Sequence, residues 1–220
     1  LIIALDGPAA SGKSTTAKAL AKHLGWLYLD TGAMYRALTL ACLEAGVDPY
    51  TADNLEYLAT RHQVRLKTHG DATIVLLDGA DVSDKIRLPE VARAIKPIAD
   101  DPGVRGHLVA QQREIGSNQD SVVDGRDIGT VVFPAAELKI YMVAGVEERA
   151  RRRQKELSQK GVEMSLEALA NDIRTRDEAD MSRPVGALRK AEDAIEIDTT
   201  NLSINAQIEK ILALWKMRKP

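Results

Sequence analysis

Residues Gly7-Pro8-Ala9-Ala10-Ser11-Gly12-Lys13-Ser14 follow directly on a continuous apolar run, Leu1 to Leu5. They lead into a stretch with apolar residues at helical spacing, Ala17, Leu20, Ala21 and Leu24. An apolar run of this length reads as a parallel strand buried on both faces, and Gly25 is placed to end the helix with a left-handed residue. The octapeptide matches G-x-x-x-x-G-K-[ST] in the strand-to-helix context that its chemistry requires. Glycines at both ends let the loop wrap so that successive N–H groups point inward, and the N-terminus of the next helix adds partial positive charge. This is a cradle for the β-phosphate of a nucleotide, with Lys13 reaching the β- and γ-phosphates and the Ser14 hydroxyl a ligand for Mg²⁺.

The rest of the chain repeats the alternation. Trp26 to Leu29 reads as a second strand, Asp30-Thr31-Gly32 as the turn into a helix through Tyr35, Leu38 and Cys42. Further strands are expected at Ser121 to Val123, Lys139 to Val143 and Ala194 to Ile197, and a last helix carries Ile204, Ile208, Ile211, Leu212 and Trp215 on one face with Ser203 as N-cap. The expected class is α/β, a mostly parallel sheet with helices on both faces. Between Val64 and Val82 the pattern changes to short β pieces, Val64 to Leu66 and Thr73 to Leu77, with Gly70-Asp71 and Asp78-Gly79 as turn dipeptides, a small antiparallel insertion. From Glu147 to Arg183 basic and acidic residues alternate with few large apolar ones. Such a stretch makes a solvated helical hairpin held by i,i+4 pairs, unless its guanidinium groups serve phosphates.

Charge narrows the partners. Lys and Arg total 30 against 32 Asp and Glu, a net charge of -2, so no overall basic field points to a nucleic acid or a membrane surface and any anion site must be local. One cysteine, Cys42, excludes an internal disulfide and fits a reducing compartment. No run approaches the ~18 apolar residues of a membrane span, and the chain opens in a strand-like segment without a basic stretch before it. A cytoplasmic protein with its initiating end trimmed is expected, and a monomer.

Three local clusters can face the cradle. Asp30-Thr31-Gly32-Ala33-Met34-Tyr35-Arg36 lies at the carboxyl end of a strand, where open α/β sheets bind ligands, and Arg36 there can clamp an acceptor phosphate. Asp124-Gly125-Arg126-Asp127 follows the strand ending at Val123. Asp124 stands where a carboxylate joins the Mg²⁺ shell, and Arg126 can neutralise phosphate charge. Arg174, Arg176, Asp180 and Arg183 form a third, guanidinium-dense group. No guanine-reading Asn-Lys-x-Asp occurs, which weakens a GTPase switch.

GPAASGKST, YLDTGAMYR, Val104-Arg105 opening a long helix, DGRDIGTVVFP from Asp124 to Pro134, and RDEADMSR from Arg176 to Arg183 together resemble the bacterial cytidylate kinase family over essentially the whole length. The resemblance implies a P-loop NTPase fold with a central parallel sheet flanked by helices, a monophosphate-binding region with a small antiparallel insertion, and a short helical lid. The corresponding boundaries are a core of 1–35, 118–148 and 187–220, a monophosphate-binding region of 36–117 with its insertion at about 62–86, and a lid at about 149–186. It implies transfer of a phosphoryl group from ATP, with Mg²⁺, to CMP or dCMP. By the same resemblance Gly7, Pro8, Ala9, Ala10, Ser11, Gly12, Lys13, Ser14 and Thr15 bind ATP. Arg36 and Arg126 hold the acceptor phosphate, Arg105, Asp127 and Arg183 meet cytosine, Arg176 and Asp180 hold the sugar, and the lid residues Arg149 and Arg153 approach ATP. Thr31 stands where serine is frequent in the family, and Lys96 where a serine often helps read the base. Lys13, Arg36, Arg126 and Arg176 are the expected catalytic cations, Ser14 and Asp124 the expected metal ligands. A kinase for another small acceptor such as UMP, and a nucleotide switch, are the rival readings.

Overall fold

A computed structural model describes residues 1–69, 72–159 and 161–218. In chain order the elements are β1 (Ile2–Asp6), α1 (Lys13–Leu24), β2 (Leu27–Asp30), α2 (Thr31–Glu44), α3 (Leu55–Thr60), β3 (Val64–His69), β4 (Ala72–Leu77), β5 (Ala80–Asp81), α4 (Pro89–Asp100), α5 (Pro102–Asn118), β6 (Ser121–Gly125), β7 (Leu138–Val143), α6 (Val146–Ser158), α7 (Leu166–Ser182), β8 (Ile195–Asp198) and α8 (Ile204–Arg218). A 3-10 turn (Lys85–Arg87) and a π-helical turn (Ile128–Val132) complete them. The chain forms two compact units, Leu1–Leu24 with Val122–Pro220, and Gly25–Ser121.

In the first unit the sheet runs β6-β1-β7-β8. β1 pairs parallel with β7, Ile3 opposite Leu138, and β7 parallel with β8, Ile140 opposite Ile195. Every residue of β1 is buried, as its unbroken apolar run requires of a strand covered on both faces. Gly25 has φ +69, the left-handed stop expected after α1. At α8 the hydroxyl of Ser203 accepts the N–H of Ala206 at 3.2 Å, so the expected cap forms.

α6 and α7 make the charged hairpin. Side-chain pairs Arg151–Glu148, Arg152–Glu148 and Arg153–Glu156 lie along α6 at i,i+3 and i,i+4 spacing. Pairs of this kind are worth a few tenths of a kcal/mol each. What closes the hairpin is a small apolar cluster of Ala150, Leu169, Ala170 and Ile173, extended by Val146, Leu157 and Met164. Its α6 members are dispersed among charges, which hides it from the sequence, although Leu169, Ala170 and Ile173 lie at helical spacing on α7.

In the second unit α2 is buried almost all round, from Thr31 through Cys42, as a helix with apolar residues on every face must be. Its N-terminus is set by Asp30, whose Oδ1 accepts the N–H of Ala33 at 2.8 Å. The predicted turn at Asp30-Thr31-Gly32 is therefore already the helix start. The insertion is a three-stranded antiparallel sheet, β3-β4-β5, with Val64 opposite Leu77. Asp78 and Gly79 both have positive φ and turn the chain there. The dipeptide Gly70-Asp71 lies outside the described residues. Pro97 sits inside α4 and, lacking an N–H, leaves the carbonyl of Arg93 without its helical donor. The Tyr50 hydroxyl donates to that carbonyl at 3.0 Å and restores the bond from outside the helix.

Ile173→Ala truncates one of the two large aliphatic side chains buried in the hairpin cluster and costs about 2 kcal/mol, the low end for such truncations because a small cluster relaxes. Amide exchange across α6 and α7 is expected to speed up by about 30-fold while β1 and β7 stay protected. Equal acceleration in all four elements would show that the hairpin has no stability of its own.

Candidate active site

The loop between β1 and α1 has the geometry its sequence implies. Gly7 has φ +153, and a Cβ there would stand 2.2 Å from the carbonyl oxygen of Met142, so only glycine fits against β7. Gly12 has φ +92 and Ala10 φ +58. A loop wound so that its N–H groups face inward turns carbonyls outward, and these find donors. Lys13 Nζ donates to Pro8 O at 3.2 Å, Arg149 Nη1 to Ala9 O at 3.1 Å, and Arg152 Nη1 to Ser11 O at 3.3 Å. The Thr199 hydroxyl donates to Ser11 O at 2.7 Å. On the α1 side the hydroxyl of Thr16 donates to Gln207 Oε1 of α8 at 2.5 Å. Ser11 Oγ is buried and has no hydrogen-bond partner.

Lys13 is buried, and burial first, then the positive charges of Arg126 and Arg176, pull its ammonium down to about 7, against Asp124 and Asp180, which raise it. It is a desolvated ammonium acted on by two arginines and two carboxylates, an environment in which an added anion would stabilise its charged form. Beside it Ser14 Oγ donates to Asp124 Oδ2 at 2.5 Å, so the two expected metal ligands are in contact. Arg126 Nε donates to Asp180 Oδ2 at 2.6 Å, and Arg183 Nη2 to Asp180 Oδ1 at 2.9 Å. Asp180 thus joins two of the sequence-predicted arginines. Burial pushes its carboxyl up, but Arg126, by charge and hydrogen bond, with Arg183 and Arg176, outweighs that and holds it below the usual carboxylate range. One helical turn earlier Asp177 Oδ2 accepts from Arg149 Nη2 at 2.6 Å, both side chains buried, and Asp177 Oδ1 has no partner. Asp127 is buried and opens the π-helical turn. Arg176 is exposed on α7.

The second unit carries the other predicted residues. Asp30 uses its remaining oxygen, Oδ2, to accept from Arg36 Nη2 at 3.0 Å, while Arg36 Nε is buried without a hydrogen-bond partner. Thr31 is buried as the first residue of α2. Arg105 is 3% exposed, donates through Nη1 to Ala99 O at 3.2 Å, and stacks with its guanidinium carbon 5.5 Å from the centre of the Tyr35 ring. Lys96 is exposed, its Nζ on Asp100 Oδ2 at 2.8 Å.

Five contributors escaped the sequence analysis: Arg152, Asp177, Thr199, Gln207 and Asp6. Arg152 and Arg153 stand three and four residues beyond Arg149, near the same helix face, so spacing does not separate them. The structure turns Arg152 to the phosphate loop and leaves Arg153 half-buried, paired with Glu156. Thr199 and Gln207 are far from the loop in sequence, and no local pattern marks them.

A glycine-bounded phosphate cradle with a buried lysine, a Ser–Asp pair at its mouth and arginines held by carboxylates is the site of a P-loop phosphotransferase. The family model for cytidylate kinase matches residues 3–217, and the chain belongs to the cytidylate kinase family. It is 48% identical over 216 residues to the cytidylate kinase of Halalkalibacterium halodurans, covering 98% of this chain and 97% of that protein. It is 45% identical over 212 residues to that of Oceanobacillus iheyensis, covering 96% and 92%. An uncharacterized protein from Eubacterium ventriosum, solved by crystallography, shares the fold at a TM-score of 0.53 with 12% identity, over 99% of each chain.

Because Asp180 titrates below its unfolded value, its contribution to stability is complete above about pH 4 and is lost as pH falls through the folded value. The difference in unfolding free energy between wild type and Asp180→Asn is therefore expected to be constant from pH 7 to 5 and to shrink below pH 4. A difference that persists unchanged to pH 2 would remove the ion-pair explanation.

Proposed function

We propose that this protein transfers the γ-phosphate of ATP to CMP or dCMP, giving ADP and CDP or dCDP. The observation that carries the reading is the buried Lys13 in the phosphate loop, with Arg126 of the family's DGRDIGTVVFP segment close enough to lower its pKa. The loop N–H groups and Lys13 hold the donor phosphates. By the family resemblance Arg126 and Arg36 are assigned to the acceptor phosphate. Arg36 suits that role because Asp30 orients one side of its fork while Nε is left without a partner. Arg105, Asp127 and Arg183 are assigned to the base, Arg176 and Asp180 to the sugar.

An oxygen of the acceptor phosphate forms a bond to the γ-phosphorus as the bond to the β–γ bridging oxygen breaks, and ADP leaves with that electron pair. The acceptor is already an anion near neutral pH, so no general base is required, and the protein contributes alignment and charge. Ser14 Oγ and Asp124 Oδ2, two hard oxygen donors in contact, fit Mg²⁺, which takes one or two protein oxygens and keeps waters and phosphate oxygens for the rest. When bound, Mg²⁺ supplies charge neutralisation on the phosphates. We further take residues 149–186 as a lid, residues 36–117 as the monophosphate-binding region, and the protein as a cytoplasmic monomer. The guanidinium groups of Arg149 and Arg152 against the phosphate loop support the lid assignment.

Release of ADP, measured with ATP and each of CMP, dCMP, UMP, AMP and shikimate, tests the reading. Rapid turnover is expected with CMP or dCMP and slow hydrolysis without an acceptor. Lys13→Ala is expected to lower that turnover at least ~10²-fold. Turnover independent of acceptor would favour a nucleotide switch.

A carboxylate only accepts hydrogen bonds, and cytosine offers an amino group where uracil offers an oxygen. Asp127→Ala is thus expected to lower kcat/KM for CMP about ten- to hundredfold more than for UMP. Equal losses would assign Asp127 to loop structure alone.

A further inference from the structure

We propose that Asp6 is a positioning residue for phosphoryl transfer, its carboxylate locking the turn behind Arg126 and Asp127 to the root of the phosphate cradle. Asp6 ends β1 and immediately precedes Gly7. It is 4% exposed, and its two oxygens are used separately: Oδ1 accepts the N–H of Ile128 at 2.8 Å and Oδ2 the N–H of Gly129 at 2.7 Å. These N–H groups open the π-helical turn Ile128–Val132, which starts one residue after Asp127 and two after Arg126. Backbone N–H groups at the start of a helical turn have no partner inside it, so the carboxylate satisfies two donors that would otherwise be buried and unpaired.

Two bonds from one rigid planar group fix orientation as well as distance, which one bond cannot do. The turn is held from its other side too. A Cβ on Gly129 would lie 3.1 Å from Lys139 Cδ and 3.4 Å from Asp6 Oδ2, and Lys139 is itself anchored by Pro134 O at 2.5 Å and Asp193 Oδ1 at 2.9 Å. At the opposite end Gly7 is pressed against Met142 O. Asp6 therefore stands between two closely packed neighbours, the base of the loop assigned to the donor phosphates and the base of the segment assigned to the acceptor. Burial pushes its carboxyl up to about 6, against the lowering effect of the N–H groups of Gly129 and Ile128, so above pH 7 it is ionised and both oxygens accept. A desolvated carboxylate is a costly way to hold a surface-independent turn. It is suited to a joint whose geometry must not drift, since a displacement of about 1 Å between reacting groups costs on the order of 10²-fold in rate.

The inference rests on the acceptor assignment above, and the experiment separates the two. In Asp6→Asn one oxygen becomes an amino group facing a backbone N–H, and the turn must shift. The measurements are kcat, KM for CMP and, without acceptor, the equilibrium Kd for ATP, all on the full chain at pH 7.5. Expected are a kcat at least tenfold lower, a KM for CMP at least fivefold higher, and a Kd for ATP within twofold of wild type. Gly129→Ala presses on the same joint from the turn side and is expected to give the same split in milder form, so it carries the test where Asp6→Asn does not fold. Ile211→Ala, a core truncation in α8, serves as a control for destabilisation: it lowers Tm without the split. Unchanged CMP parameters in a folded variant, or equal weakening of ATP and CMP, would overturn the positioning role. Wild-type protein inactive on CMP would overturn the acceptor assignment instead.

Discussion

A loop that points its N–H groups at a phosphate must point carbonyls away from it, and a protein that buries such a loop has to supply donors for them. Much of the first unit is arranged around that obligation. Pro8 O, Ala9 O and Ser11 O are met by Lys13, Arg149, Arg152 and Thr199, which come from α1, α6 and the segment after β8. Each bond net contributes about 1 kcal/mol, but leaving any one carbonyl buried and unmet costs more than that. The position of α6 is thus set by backbone chemistry of the phosphate loop as well as by its apolar cluster with α7. α8 is tied to α1 by a different bond, in which the Thr16 hydroxyl donates to Gln207 Oε1.

The same outward donors explain why arginines outnumber what solubility requires in a chain of net charge -2. Arg149 meets a carbonyl of the loop and Asp177 together, and Arg152 bridges the loop to Thr199. Arg126 and Arg183 share Asp180. Every one of these buried or half-buried guanidinium groups has a carboxylate or carbonyl on it, as desolvated charges must. The carboxylates limit mutual repulsion among the cations and hold them in fixed orientations.

Local patterns carried most of the architecture. The apolar run of β1, the glycine stop at Gly25, the Ser203 cap and the glycine-bounded loop are all features whose causes lie within a few residues, and each was legible. The class of the site was legible for the same reason, since a phosphate cradle is a contiguous motif. What was not legible depends on residues distant in sequence. Whether Arg152 or Arg153 faces the loop is decided by where α6 packs. The rescue of Arg93 O by Tyr50 spans 43 residues, and the grip of Asp6 on Gly129 spans 123. The hairpin cluster of Ala150, Leu169, Ala170 and Ile173 was half hidden: Leu166, Leu169, Ala170 and Ile173 stand at helical spacing on α7, but α6 offers only Val146, Ala150 and Leu157 among its charges. The assigned roles of Arg105 and Asp180 came only with the family resemblance.

Lys13 shows how the parts depend on one another. An ammonium in water loses several kcal/mol of solvation on burial, and two neighbouring arginines raise the penalty further, which is why its proton is held so weakly. The fold tolerates this because Asp124 and Asp180 return part of the loss and the Pro8 carbonyl accepts one of its hydrogens. An anion beside Lys13, the role proposed for the donor phosphates, would offset what is left of that penalty. Binding energy drawn from that relief is specific for an anion at this place, since water cannot supply it and a neutral ligand cannot release it. The buried lysine, the outward carbonyls with their arginines, and the carboxylates that hold those arginines are therefore one electrostatic arrangement, suited to the negative charge of the proposed phosphate donor.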